Sequence, residues 1–314
     1  MARVVQAQAF GGPEVLTVVE VPVPEPGPGE VAVSVHAAAV NRMDVKVYSG
    51  AMGADPAQLP MRLGFEAAGL VTAVGEDARG PQGEVAVGDE VIVFRTQGAY
   101  ATELVVPATA VVPKPSTLGW EPAAGLMLTG VTAVHVLTHT EVGDGDTVLV
   151  HGGSGGVGLM TVQLARERGA RVVATASAAR HDLLRSLGAE PVAYGDGLLE
   201  RVREIAPDGI DVAIDLVGSD EALEVSLALV EDRSRIVTIA NFASAPAAGV
   251  KVLGGRGPDS GEAIRDAARP DLARLAGEGT LQVLVARTFP LDEVTDAHRL
   301  AAEGHTTGKI VLVP

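Results

Sequence analysis

The stretch VLVHGGSGGVG, residues 148–158, runs from branched apolar residues into five glycines and one serine. An amphipathic segment, GLMTVQLARERGA, follows from Gly158, so the chain passes from strand to helix through a corner almost empty of side chains. Gly153, Gly155 and Gly158 satisfy the pattern G-x-G-x-x-G, and Gly152, Gly155 and Gly158 satisfy G-x-x-G-x-x-G. Glycines at such a corner permit a tight turn, the approach of a pyrophosphate and close packing of helix on strand. The unpaired N–H groups at the helix start then receive the anion. Gly152, Gly153, Ser154, Gly155, Gly156, Val157 and Gly158 are therefore the expected dinucleotide cradle. The alternative is a glycine-rich corner that binds nothing.

The surrounding pattern favours the cradle. The segment 121–140 reads as one helix with Pro122 near its start, where a missing N–H costs little. Strand patterns at 146–150, 171–176, 192–195, 210–218 and 234–241 then alternate with helical ones, including 156–168, 180–187 and 220–229. Alternating β and α units predict a parallel, doubly wound sheet. Before about residue 118 the signal is β: EVAVSVHAAAV (30–40), AAGLVTAVG (67–75), DEVIVF (89–94) and AYATELVVP (99–107) are short Val-rich runs, as in a barrel or sandwich. VPVPEPGPGE (21–30) reads as a rigid polyproline turn feeding the next strand. A helix near 260–278, a strand at 281–286, a helix at 292–302 and GKIVLVP (308–314) close the chain.

With 314 residues, two domains are expected. The chain has no cysteine, which excludes disulfides, cysteine-ligated zinc and thiol catalysis. Its formal net charge of −16 repels phosphate backbones and anionic membrane surfaces, so neither nucleic acid nor a membrane is an expected partner. The N-terminal segment lacks an apolar signal core, and no long apolar run follows. A cytoplasmic protein is expected.

The end of the second parallel strand bears on which dinucleotide is bound. NAD-binding sheets usually carry Asp or Glu there, to accept from the ribose hydroxyls. Here the position falls at Ala176–Ser177. Ser177 can donate to a phosphate, Arg180 can pair with one, and Tyr194, at the end of the next strand, can reach the same place. These residues point to NADPH, with a solvated helix-start role as the alternative for Arg180.

The blocks AVNRMDVKVYSG, LPMRLGFEAAGLVTAVG, VAVGDEVIVF, EPAAGLMLTGVTA, HGGSGGVG, DVAIDLVG and GKIVLVP, in that order, cover essentially the whole chain. Together they resemble the medium-chain dehydrogenase/reductase superfamily, and within it the zinc-independent, zeta-crystallin-like quinone oxidoreductases. The resemblance implies a GroES-like β-barrel catalytic domain (1–117 and 258–314) and a Rossmann NADPH-binding domain (118–257), an α/β architecture with the active site in the cleft between. Zinc-dependent members use a cysteine in the block matching NRMD and a histidine in the block matching GFE. This chain has Asn41 and Phe65 there, so no metal is expected.

The resemblance also implies site residues. Asn41 is the expected donor to a substrate oxygen, with a turn or capping role as the alternative. Tyr48, in the same loop, is the expected proton donor or oxyanion partner. Lys46 steers the acceptor or binds phosphate, or is simply solvated. Thr132 and Asn241 match positions that hold the nicotinamide. Lys309, Asp215 and Asp44 read as structural, His151 as a packing residue and His36 as a barrel-surface residue. The expected activity is reduction of quinones or α,β-unsaturated carbonyls. Enoyl reduction of a thioester or polyketide-like intermediate, and non-catalytic NADPH binding, are the alternatives. Pairing of an edge strand near 249–255 implies a homodimer.

Overall fold

The computed structural model describes residues 1–254, 260–304 and 306–314. The chain divides into two units, one of Met1–Leu128 with Arg269–Pro314, the other of Thr129–Ala268.

The first unit opens with β1 (Ala2–Ala7) and β2 (Leu16–Val21), an antiparallel pair that the sequence pattern had not marked. There follow β3 (Glu30–Val40), α1 (Arg42–Tyr48), β4 (Met61–Arg62), β5 (Glu66–Val74), β6 (Arg79–Gly80), β7 (Gly83–Glu84), β8 (Glu90–Phe94), β9 (Glu103–Pro107), β10 (Val111–Pro113) and α2 (Trp120–Ala124). The expected 121–140 helix is two helices, α2 and α3 (Met127–His139), interrupted at Gly125. A Cβ on Gly125 would lie 2.8 Å from Lys309 Cγ, so the break leaves room for the lysine stem.

The second unit holds β11 (Thr147–His151), α4 (Gly156–Glu167), β12 (Arg171–Thr175), α5 (His181–Ser186), β13 (Glu190–Val192), α6 (Leu198–Ile205), β14 (Val212–Asp215), α7 (Asp220–Leu229), β15 (Ile236–Thr238) and β16 (Lys251–Val252). After α8 (Glu262–Gly277), the chain returns to the first unit as β17 (Val285–Pro290), α9 (Val294–Glu303) and β18 (Lys309–Val313).

In the first unit the main sheet runs β10-β8-β5-β3-β18-β17, with β9 also on β3. β18 lies antiparallel to β3, pairing Leu312 with Ala38. The core under it is mostly Val and Ala, with Tyr48, Tyr100 and Phe289 as large members. Small branched residues fit between closely spaced strands, which is why a chain with 3% aromatic residues still packs.

In the second unit the sheet order is β13-β12-β11-β14-β15-β16, and every pairing is parallel. The order reverses between β11 and β14, and ligands of such sheets bind outside the carboxyl ends of the strands at that reversal. The expected edge strand is present as β16, although the Gly255 end of 249–255 lies outside the described residues. The expected domain boundary at 257/258 lies there too, whereas the division of the chain falls within α8, after Ala268. The N-terminal boundary falls after Leu128 rather than at 118, because α2 packs on β3 and β5.

Candidate functional site

β11 ends at His151, and Gly152 follows with φ +79°, a conformation glycine adopts without strain. Its N–H donates to Thr175 Oγ1 at 2.9 Å, and the Gly153 N–H donates to the Thr175 carbonyl at 2.9 Å. The turn is thereby tied to the end of β12. A Cβ on Gly158 would collide with the Gly152 carbonyl oxygen, so the helix lies on the strand at a separation only glycine allows. Gly155 is the exposed N-cap of α4, and no side chain caps the helix. The N–H groups of Gly156, Val157 and Gly158, in the first turn, have no intrahelical acceptor, while Ser154 lies half-buried beside them. That is an anion receptor.

The other strands of the parallel sheet end at the same edge. Past β12, exposed Ser177 leads into a short turn in which its carbonyl accepts from the Arg180 N–H at 2.9 Å, and Arg180 is half-buried. The strand expected at 192–195 is instead Glu190–Val192, so Tyr194 stands beyond it and is 60% exposed. Past β14 comes Val217 and past β15 comes Phe242. Tyr194, Val217 and Phe242 are the exposed large hydrophobic residues among the described residues of this unit, and all three follow carboxyl ends of strands.

Asp215, the last residue of β14, organises two of these turns. One carboxyl oxygen accepts from the Val217 and Gly218 N–H groups at 2.9 and 2.8 Å. The other accepts from the Thr238 hydroxyl at 2.8 Å. Thr238 Oγ1 in turn accepts from the N–H groups of Ala240 and Asn241 at 3.1 and 3.0 Å. Asn241 is buried; its Oδ1 accepts from the Ser244 N–H at 2.9 Å, and its Nδ2 finds no partner among the described residues. Thr132 is buried on α3, one turn beyond Thr129, whose methyl would lie 3.2 Å from a Cβ on Gly156. His151 is buried against the Ser226 hydroxyl at 3.2 Å, and burial pushes its pKa down to about 4, partly opposed by Asp215. It packs, as expected.

The barrel residues require corrections. Asn41 precedes α1 and is buried, and its two amide hydrogens go to the Ala39 carbonyl at 3.2 Å and Glu66 Oε1 at 3.1 Å. None remains to donate to a substrate oxygen. Its Oδ1 accepts from Lys309 Nζ at 2.5 Å, and the same ammonium donates to Glu66 Oε1 at 2.9 Å. Glu66 Oε2 accepts from the Leu128 N–H at 2.8 Å, capping α3. The three side chains form a closed, buried triangle in which Lys309 is structural.

Tyr48 lies on a helix, not a loop, and is fully buried, with its hydroxyl unpartnered among the described residues. Burial, reinforced by Asp44 and Glu14, pushes its pKa up to about 12. With no exposed surface, the expected proton donor sits in the core. Its ring meets His298 edge-on at 5.3 Å, and Tyr100 meets the same imidazole at 5.6 Å. Asp44 holds the turn as expected, accepting from the Asn41 and Gly64 N–H groups at 2.9 and 3.1 Å. Lys46 is exposed on α1. His36 is exposed and stacks on Trp120 at 4.3 Å.

No local signal announced the Asn41–Glu66–Lys309 triangle, whose members are 243 and 268 positions apart. The Thr238–Asp215 contact was equally silent, since a threonine in a β-branched strand looks like any other strand residue.

Comparison with known proteins accords with this architecture. Residues 27–116 match the alcohol dehydrogenase GroES-like domain, and residues 187–312 match a family described as zinc-binding dehydrogenase. A quinone oxidoreductase of Pseudomonas aeruginosa is 35% identical over 338 residues, covering 100% of both chains. Among solved structures, Escherichia coli quinone oxidoreductase complexed with NADPH superposes with TM-score 0.85 at 28% identity, over 100% of each chain. The CurK enoyl reductase reaches 0.87 at 25% identity, over 99% of each. The chain belongs to the medium-chain dehydrogenase/reductase superfamily, in its quinone oxidoreductase branch. The zinc in that family description does not fit these residues. Asn41 and Glu66 are engaged by an ammonium group, and no cluster of three or more His, Cys, Asp or Glu exists among the described residues. Among them, too, no helix is long and apolar enough to cross a membrane.

Proposed function

We propose that the protein is an NADPH-dependent, zinc-independent reductase of quinones or α,β-unsaturated carbonyls. One observation carries the reading. The carboxyl edge of the parallel sheet combines an uncapped helix N-terminus at the glycine turn with a buried Asn241 Nδ2 that has no partner among the described residues. The first fits the bridging pyrophosphate and the second the carboxamide oxygen at the nicotinamide end of a nicotinamide dinucleotide. Thr132 belongs to the same proposed carboxamide end. Bound there, NADPH supplies a hydride.

The chain's own residues bind and orient. The N–H groups of Gly156, Val157 and Gly158 hold charge, Ser177, Arg180 and Tyr194 receive the 2′-phosphate, and Val217 and Phe242 cover apolar surface. With the Asn41 hydrogens engaged and Tyr48 sealed, the reduced acceptor takes its proton from water. Lys46 is left to steer the acceptor. An electron-poor acceptor needs no Lewis acid, which is consistent with Asn41 and Phe65 standing where the zinc-dependent family pattern has its ligands. The similarity to an enoyl reductase favours a second reading, reduction of an enoyl thioester at the same edge.

The test is nucleotide binding on EDTA-treated protein, NADPH against NADH, followed by NADPH oxidation with a panel of quinones, enones and enoyl thioesters. Binding and turnover that survive chelation are expected. Loss of turnover on chelation, restored by zinc, would overturn the metal-free reading.

A further inference from the structure

The hydroxyl of Thr238 has one hydrogen to donate and two lone pairs to accept with. All three are in use. It donates to Asp215 and accepts from the Ala240 and Asn241 N–H groups. Asp215 is 3% exposed and Thr238 1%, so water cannot replace a lost partner. The remaining Asp215 oxygen accepts from the Val217 and Gly218 N–H groups. At Gly218, φ is +86° and a Cβ would stand 2.7 Å from the Ala240 carbonyl carbon, so the turns after β14 and β15 press directly on one another. The Asn241 amide is fixed at one end by the Ser244 N–H, which identifies its oxygen and leaves Nδ2 as a buried donor without a partner among the described residues. A buried unsatisfied donor is costly, and it persists where a ligand completes it.

We propose that Asp215 and Thr238 are positioning residues that act together to set the Asn241 amide for the nicotinamide end of the cofactor. This rests on the NADPH reading above. Neither residue touches the cofactor in this assignment; both act through the backbone N–H of Asn241. The direction of the relay is what matters. It requires an acceptor at 215 facing a donor at 238. In Asp215→Asn the Oδ1 acceptor for Val217 and Gly218 can be kept, but the group facing Thr238 becomes an N–H. The hydroxyl then meets three donors with two lone pairs, has no acceptor for its own hydrogen, and must release Ala240 or Asn241. Thr238→Val removes the hydroxyl at nearly constant shape and releases both. Thr238→Ser keeps the hydroxyl.

The experiment measures two affinities on each full-length protein: NADPH, which reaches the nicotinamide end, and 2′,5′-ADP, which carries only the adenosine and phosphate end. Binding of 2′,5′-ADP also reports that the unit is folded. Asp215→Asn and Thr238→Val are expected to bind 2′,5′-ADP like the wild type and NADPH about tenfold more weakly, the scale of one lost hydrogen bond. Thr238→Ser is expected to match the wild type for both. Unchanged NADPH affinity in Asp215→Asn and Thr238→Val would overturn the inference, as would equal weakening of both ligands, which would mean general loosening. A wild type that binds neither ligand would remove the cofactor reading and this inference with it. A wild type that binds both, with variants like it, would remove this inference alone.

Discussion

Lys309 stands 268 residues from Asn41, yet its ammonium lies 2.5 Å from Asn41 Oδ1 and 2.9 Å from Glu66 Oε1. The lysine side chain is 5% exposed and the glutamate 0%, so neither charge has water to fall back on. Removing one member of such a pair leaves the other as an uncompensated buried charge, which typically costs about 3–5 kcal/mol. Lys309→Met should therefore lower stability by about that amount, and Glu66→Gln by a similar one. The double variant should lose much less than the sum, because no isolated charge remains. Denaturant midpoints of the four proteins check this, and additive losses would show that the triangle is not a coupled unit.

The contrast between what local pattern revealed and what it concealed follows from the range of the forces. β3 is predicted and found at residues 30–40, and α7 at 220–229, because periodicity and capping act over a few residues. The glycine turn was equally legible, since its function requires missing side chains in consecutive positions. Tyr48 was not. Its tyrosine label suggested acid–base chemistry, but its position on a seven-residue helix facing His298 depends on α9, 250 residues later. Asn41 likewise reads as a free amide until Lys309 arrives from the far end of the chain. Residues whose role is set by one distant partner carry no mark of it in their neighbourhood.

His298 is fully buried with both ring nitrogens unpartnered among the described residues, and burial pushes its pKa down to about 4. The folded state thus binds fewer protons than the unfolded state, whose histidine titrates near 6.5, and stability is lost as pH falls through that window. At pH 5 the loss from this residue is about 2 kcal/mol relative to neutral pH. His151, also lowered to about 4, acts in the same direction. Asp44 acts oppositely: burial raises its pKa to about 6, so its protonation favours the fold as pH falls from 6 towards 4. His298→Phe, which keeps the ring and removes both nitrogens, should flatten the decline between pH 6.5 and 4. Denaturation at pH 7 and 5 checks it; an unchanged slope would place the acid sensitivity elsewhere.

Two glycines of the turn should separate packing from binding. A Cβ on Gly158 collides with the Gly152 carbonyl oxygen, so Gly158→Ala must push α4 away from β11. Overpacking of this kind costs about 1–3 kcal/mol, and nucleotide binding should fall with it. A Cβ on Gly155 meets only that same oxygen, at an ordinary 3.4 Å, and Gly155 is exposed. Gly155→Ala should therefore leave the melting temperature within about 2 °C of the wild type and still weaken NADPH, because the added methyl lies where the pyrophosphate approaches. Melting curves with and without NADPH distinguish the two. Equal destabilisation by both substitutions would show that the turn is a packing device alone.

Cofactor preference should turn on residue 177. Ser177 is exposed two residues past β12, where NAD-binding sheets present a carboxylate to the ribose hydroxyls. In Ser177→Asp a carboxylate would repel the 2′-phosphate of NADPH and accept from the free 2′-hydroxyl of NADH. Both effects push the ratio of affinities the same way. A tenfold change corresponds to about 1.4 kcal/mol, within reach of one charged contact at a solvent-accessible site. NADPH should weaken by at least about tenfold, and NADH should tighten, with the effect on NADPH diminishing at high salt because the repulsion is screened. Arg180→Ala should weaken NADPH far more than NADH, since the 2′-phosphate that the guanidinium would pair with is absent from NADH. Fluorescence titration of both nucleotides at low and high salt reads all of these. Parallel loss of NADH and NADPH in Arg180→Ala would move the arginine from phosphate recognition to support of the turn itself.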